Sequence, residues 1–151
     1  LLGGEGDAEL SVLWQEPGGL LCKARADRMS WKLKGGTIVD IKTTHDAAPE
    51  VFTRRIWELG YHRQGAWYLR GFTTHGVSVR HYVLIAVESD PPHEVGVYRL
   101  EERALEAGWD EIEPLIELYA TCQERGEWPG YPDKVQPIGL PAWAWRLEAA
   151  A

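Results

Sequence analysis

Apolar and polar residues alternate acceptably from Ala8 to Trp14, and an extended run resumes from Leu20 to Arg25 after the turn-forming stretch Glu16-Pro17-Gly18-Gly19. This predicts a hairpin. Cys22 to Trp31 also reads as extended, and Lys34-Gly35-Gly36 closes it against a third strand over Thr37 to Thr43. The stretch His45-Asp46-Ala47-Ala48-Pro49 then offers an N-cap and an early proline, so a helix is expected from Pro49, with Gly60 breaking or kinking it. A second helix is predicted over Tyr61 to Leu69, ending near Gly71. Val77 to Glu88 and Glu94 to Leu100 are rich in Val, Ile and Tyr and predict two further strands around the turn Asp90-Pro91-Pro92.

From Glu101 to Arg125 the residues Ala104, Leu105, Trp109, Ile112, Leu115, Ile116, Leu118 and Tyr119 form the stripe of a long amphipathic helix, bent or divided at Pro114. Beyond it, a Pro- and Gly-rich strap (about 126–146) is expected over the surface, anchored by Trp128, Tyr131 and Trp143, with fraying at Glu148 to Ala151. The order β-β-β-α-α-β-β-α places the chain in the mixed α/β (α+β) class, a central mixed sheet flanked by helices. The expectation is one domain spanning residues 1–151.

Composition agrees with a packed core. The chain has 151 residues, 44% of them apolar, and eight tryptophans. No segment approaches the roughly 18–20 apolar residues of a membrane span, and residues 1–4 lack signal-peptide features, so a cytoplasmic protein with no membrane partner is expected. Cys22 and Cys122 alone cannot build a zinc site or an iron–sulfur cluster. Two free buried thiols are expected. The net charge of −7 argues at first against nucleic acid, but it is unevenly spread, at −4 over residues 1–22, +6 over 23–80 and −9 over 81–151.

The positive segment holds the candidate chemistry. On a strand, Asp40 and Lys42 project to one side while Val39 and Ile41 point the other way into a core. Antiparallel pairing sets Asp27 across from positions 40 to 42, so two carboxylates and an ammonium converge at a sheet edge. Phosphodiester hydrolysis needs a cation at the phosphate and an activated water. Asp27, Asp40 and the main-chain carbonyl of Ile41 match the oxygen ligands of magnesium, and Lys42 can orient the water. In Tyr61-His62-Arg63-Gln64-Gly65-Ala66-Trp67-Tyr68, Gln64 and Tyr68 lie four apart on one helical face with Tyr61, and can bind a phosphate, a water or Lys42. Taken singly, each has a plainer reading as a strand-end charge or a core aromatic.

Together, residues 19–27, Ile38-Val39-Asp40-Ile41-Lys42-Thr43-Thr44 and 61–68 resemble the PD-(D/E)XK nuclease superfamily, and within it the exonuclease VIII (RecE-like) group. The tail segments 127–131 and 140–144 look like the group's C-terminal signature, and the similarity runs from about residue 8 to 146. It implies a restriction-endonuclease-like core and magnesium-dependent exonuclease action at double-stranded DNA ends, with manganese as a substitute. By analogy Asp27 and Asp40 hold the metal, Lys42 is catalytic, and Gln64 and Tyr68 form the Q-x-x-x-Y motif of RecB-type nucleases. Glu9 is added as a ligand through water. DNA phosphates fall to Lys23, Arg25, Arg28, Lys32, Lys34, Arg54, Arg55 and Arg63. The resemblance further implies a ring-like homo-oligomer and a single-strand annealing recombinase as partner.

The group carries an upstream helical portion with a site histidine, whereas these residues begin almost at the first strand. A nuclease core cut from a longer protein, or a reduced or inactive DNA-end binding relative, accounts for that difference. An endonuclease of the same superfamily and a protein-interaction domain are the other readings. Dependence on DNA ends and salt-sensitive DNA binding discriminate among them.

Overall fold

A computed structural model describes residues 3–31, 35–142 and 144. Its elements are β1 (Gly6–Gln15), β2 (Leu21–Ser30), β3 (Thr37–Thr44), α1 (Pro49–Glu58), α2 (Tyr61–Thr74), β4 (His81–Glu88), β5 (Val95–Arg99) and α3 (Glu102–Arg125). The predicted order and class hold. The strands form one mixed sheet in the order β1-β2-β3-β4-β5, antiparallel except for the parallel β3–β4 pair that α1 and α2 connect. That places β3 in the middle of the sheet rather than at an edge. Among the described residues, no helix is long and apolar enough to cross a membrane.

Gly60 divides α1 from α2 by adopting a left-handed conformation (φ 69°), which costs glycine little. Gly71 does not end α2, which runs on to Thr74. A Cβ at Gly71 would sit 2.6 Å from the Trp14 ring, so its missing side chain serves packing, not capping. Pro114 does not divide α3 either. The strap is only partly anchored: Trp128 packs against Tyr119 with ring centroids 5.1 Å apart, but Tyr131 is fully exposed, and Trp143 lies outside the described residues.

The main core lies between the sheet and α2, around Trp14, Ala26, Met29, Ile38, Phe52, Phe72, Tyr82 and Leu84. Val39, Val83 and Ile85 make a second small cluster on the opposite sheet face. Ile41, expected in a core, is 46% exposed. Cys22 and Cys122 are free and buried.

Polar groups tie the helices to this sheet. Trp67 Nε1 donates to the Lys23 carbonyl at 3.1 Å, and its ring meets Trp14 at 4.7 Å. Buried His62 bridges the Ile56 carbonyl and Glu111, which Arg63 also approaches, joining α1, α2 and α3. Glu16, buried in the β1–β2 turn, accepts from Trp14 Nε1 at 2.7 Å and from two nitrogens of Arg70 at 3.0 and 2.9 Å. The Arg70 hydrogen bonds hold the Glu16 carboxyl below its ordinary value against the opposing effect of burial.

A depressed carboxylate contributes stability that is present above its unfolded value and lost as pH falls through the folded one. Glu16→Gln is therefore expected to cost about 1–2 kcal/mol at neutral pH, the low side for a charged hydrogen bond because Arg70 is 40% exposed. Urea melts at pH 7 and at pH 3 check this. A deficit that does not shrink at the lower pH assigns the effect to packing instead.

Candidate active site

The site begins where a ladder stops. β2 and β3 pair only at Arg28–Val39, Met29–Ile38 and Ser30–Thr37, whereas β3 keeps eight pairs with β4. The next pair in register would be Asp27 with Asp40. Instead the Asp27 side chain enters the gap, and its Oδ2 accepts the Ile41 backbone N–H at 2.9 Å. A residue in an extended strand presents its N–H and C=O to the same side, so the Ile41 carbonyl is directed at this gap as well.

An irregularity shared by two strands re-aims Asp27. Ala26 and Met29 both join the helix-side core although three residues apart, so the alternation of β2 is interrupted between them. Opposite that point, between the pairs Ala8–Arg28 and Leu10–Ala26, Glu9 adopts a left-handed backbone with φ 55°. Local disruptions of this kind bend a strand and redirect its side chains. The Glu9 carboxylate itself is engaged by Arg25 at 2.9 Å, with both groups exposed.

Asp40 shares the face of Ile38, toward α2, and is 2% exposed. Lys42 Nζ lies 2.6 Å from its Oδ2. Above them, Gln64 of α2 accepts from Lys42 Nζ at 2.8 Å through Oε1, and donates through Nε2 to Asp40 Oδ1 and to the Tyr68 hydroxyl, both at 3.1 Å. Only this orientation of the amide suits its neighbours, since the reverse would aim N–H groups at an ammonium. The Lys42 ammonium also sits over the Tyr61 ring, 4.6 Å from its centroid.

Five sequence-predicted residues, Asp27, Asp40, Lys42, Gln64 and Tyr68, thus converge at the opening in the sheet. Tyr82 joins them unannounced. Its hydroxyl is buried beside the Asp40 carboxylate without a well-formed hydrogen bond. Burial first, and then the charge of Asp40, push this phenol far above its ordinary range. Nothing in the run Val79 to Val87 marks Tyr82 as different from a core aromatic. The parallel register, which sets Tyr82 beside Ile38, is what brings it under the site.

The predicted phosphate contacts are dispersed among other bonds. Arg25 holds Glu9, Arg28 Nη2 donates to the Gly4 carbonyl at 2.8 Å, and Arg63 holds Glu111. Arg55 lies 3.7 Å from Glu58. Lys23 and Arg54 are exposed, and Lys32 and Lys34 fall outside the described residues.

Among the described residues, no group of three or more His, Cys, Asp or Glu side chains is placed to hold a metal. The two carboxylates and the Ile41 carbonyl form an all-oxygen set. That set fits a hard cation such as magnesium, which asks for one or two carboxylates and keeps its waters. Burial pushes the Asp40 carboxyl up, against the lowering effect of Lys42, and the nearby charge of Asp27 adds to the rise. An ionised Asp40 is thus a load on the folded state above its folded value, and the load disappears below its unfolded one. In EDTA at pH 8, Asp40→Asn is expected to melt higher than the wild type, by roughly 2–4 °C for each kcal/mol relieved. The gap should close as the pH is lowered. A variant that melts lower at pH 8 would show that Lys42 outweighs burial.

Residues 4–140 match the family model of a PDDEXK-like domain of unknown function (DUF3799). No curated protein sequence matches the chain. The crystal structure of a "putative exonuclease" from Eubacterium rectale superposes with a TM-score of 0.65 at 16% identity, over 97% of this chain. The chain spans 58% of that protein's length. A second solved structure, that of SSO0001, aligns with a TM-score of 0.44 at 18% identity, over 71% of this chain and 49% of the other.

Proposed function

Because this chain belongs to the PDDEXK-like family DUF3799, we propose that it is a metal-dependent deoxyribonuclease that hydrolyses phosphodiester bonds at the ends of double-stranded DNA. The observation that carries the reading is the Gln64 amide, which ties Lys42 and Asp40 together at the point where Asp27 enters the same opening. A structural ion pair has no need of a second carboxylate beside it. The exonuclease description of the Eubacterium rectale protein and the RecE-like motifs favour action at ends.

Asp27, Asp40 and the Ile41 carbonyl would hold magnesium, with manganese as a substitute. When bound, the cation supplies charge for the scissile phosphate and acidity for a water. The protein's own groups do the rest. Lys42 presents a proton-bearing ammonium toward the substrate phosphate and the attacking water. Gln64 fixes that ammonium relative to Asp40, and Tyr68 fixes Gln64. By accepting from Gln64, the Tyr68 hydroxyl keeps its own proton free for a DNA oxygen. Tyr82 closes the floor and keeps solvent from Asp40. The resemblance extends the proposal to a ring-like homo-oligomer and an annealing recombinase as partner.

The test is incubation with magnesium and equal amounts of linear duplex and covalently closed circular plasmid. Loss of the linear DNA alone is expected. Asp40→Ala and Lys42→Ala should each lower that activity by on the order of 10²–10³ or more, as expected when a group aimed at developing charge is removed. Gln64→Ala should lower it about 10–100-fold, the range for a group that orients a ligand. Retained cleavage in Asp40→Ala or Lys42→Ala would overturn the assignment, and cutting of both substrates would make the protein an endonuclease.

A further inference from the structure

Past Lys42, where β3 ends, the structure holds a cavity of about 260 Å³ walled by Thr43, Thr44, His45, Arg55, Leu59 and Tyr61. That is just under the range of about 300–1,000 Å³ for sites that take drug-sized ligands, a scale that suits one nucleotide unit. Its position is informative. Tyr61 is a shared wall, lining the cavity while its ring lies against the Lys42 ammonium.

The lining also divides by chemistry. Tyr61 and Leu59, the latter 55% exposed, offer an aromatic and an aliphatic surface of the kind a base or sugar packs on. Arg55 offers a guanidinium whose acidic neighbour, Glu58, is 3.7 Å away with both groups well exposed. Such a pair is weak and yields readily to a phosphate. His45 Nδ1 lies 3.1 Å from the Asp90 carboxylate, with both groups well exposed, and the Thr44 hydroxyl donates to the Asp46 carbonyl, so both residues of the rim at the strand end already have partners.

We propose that this cavity is a nucleotide subsite. It seats the nucleotide next to the scissile phosphodiester, with a phosphate on Arg55 and the base or sugar against Tyr61 and Leu59. The inference rests on the reading of Asp27, Asp40 and Lys42 as a phosphodiesterase site, and adds a requirement to it. A nucleotide must occupy the side of the scissile bond nearer the end of β3, which ties turnover to how much strand is present there.

The test separates binding from cleavage. Anisotropy of a 3′-labelled single-stranded DNA tetranucleotide is measured in EDTA with the wild type, Arg55→Ala, Leu59→Ser and, as a charge-matched control, Arg103→Ala on the exposed surface of α3. Thermal melts of all four confirm folding. Arg55→Ala is expected to weaken binding by about tenfold, the equivalent of about 1.4 kcal/mol. Leu59→Ser should weaken it less, and Arg103→Ala should match the wild type. Thymidine 5′-monophosphate should compete at far lower concentration than inorganic phosphate. Equal affinities of Arg55→Ala and Arg103→Ala, or equal competition by phosphate and nucleotide, would overturn the subsite. Cleavage of linear duplex DNA with magnesium is scored separately. A wild type that cleaves without Arg55-dependent binding loses the subsite alone, whereas one that binds as expected but never cleaves keeps the nucleotide cavity and loses the nuclease reading.

Discussion

A carboxylate buried in the middle of a sheet is the constraint around which this molecule is arranged. Asp40 occupies the central strand at 2% exposure, where an unpaired charge would be prohibitively costly. Lys42, two residues along the same strand, supplies the counter-charge, and neither group has far to reach. The pair still leaves hydrogen-bonding capacity to satisfy, and Gln64 fills it from α2. The angle and height at which α2 crosses the sheet are thereby tied to the chemistry of β3. Gly65 permits the closeness, since a Cβ there would meet Tyr82 and Leu105 at 2.9 and 2.8 Å.

The second carboxylate reaches the site by a different route. Asp27 arrives because β2 and β3 part company after three pairs, and because β2 breaks its alternation at the level where Glu9 of β1 adopts a left-handed backbone. A left-handed conformation at a non-glycine residue such as Glu9 costs about 1–3 kcal/mol. The eight unbroken pairs between β3 and β4 hold the central strand in place on its other side, so the irregularity stays local.

Much of this was legible from local signals. Turn residues and period-two alternation delimit the hairpin, and the spacing of Gln64 and Tyr68 places both on one helical face. Asp40 and Lys42 share a side by strand geometry alone. What escaped the sequence depends on partners distant in the chain. The site lies at the sheet centre because β4 pairs parallel to β3, which no local pattern encodes. The same pairing brings in Tyr82 and leaves Ile41 half-exposed on the far face. Gly71 looks like a helix stop until Trp14 is seen to press against it.

Gln64 and Tyr68 stand on the helix that also closes the main core, with Gly65, Ala66 and Phe72 buried along it. The site is therefore part of the cooperative unit and not an ornament on a loop. Loops that open locally can lose function while the body of a protein stays folded. Displacing α2 enough to free Lys42 also uncovers Tyr82, Phe72 and the Trp14–Trp67 pair. On the proposed reading, catalysis and global structure should disappear together along a denaturant series, which makes turnover itself a probe of the two-state folding equilibrium.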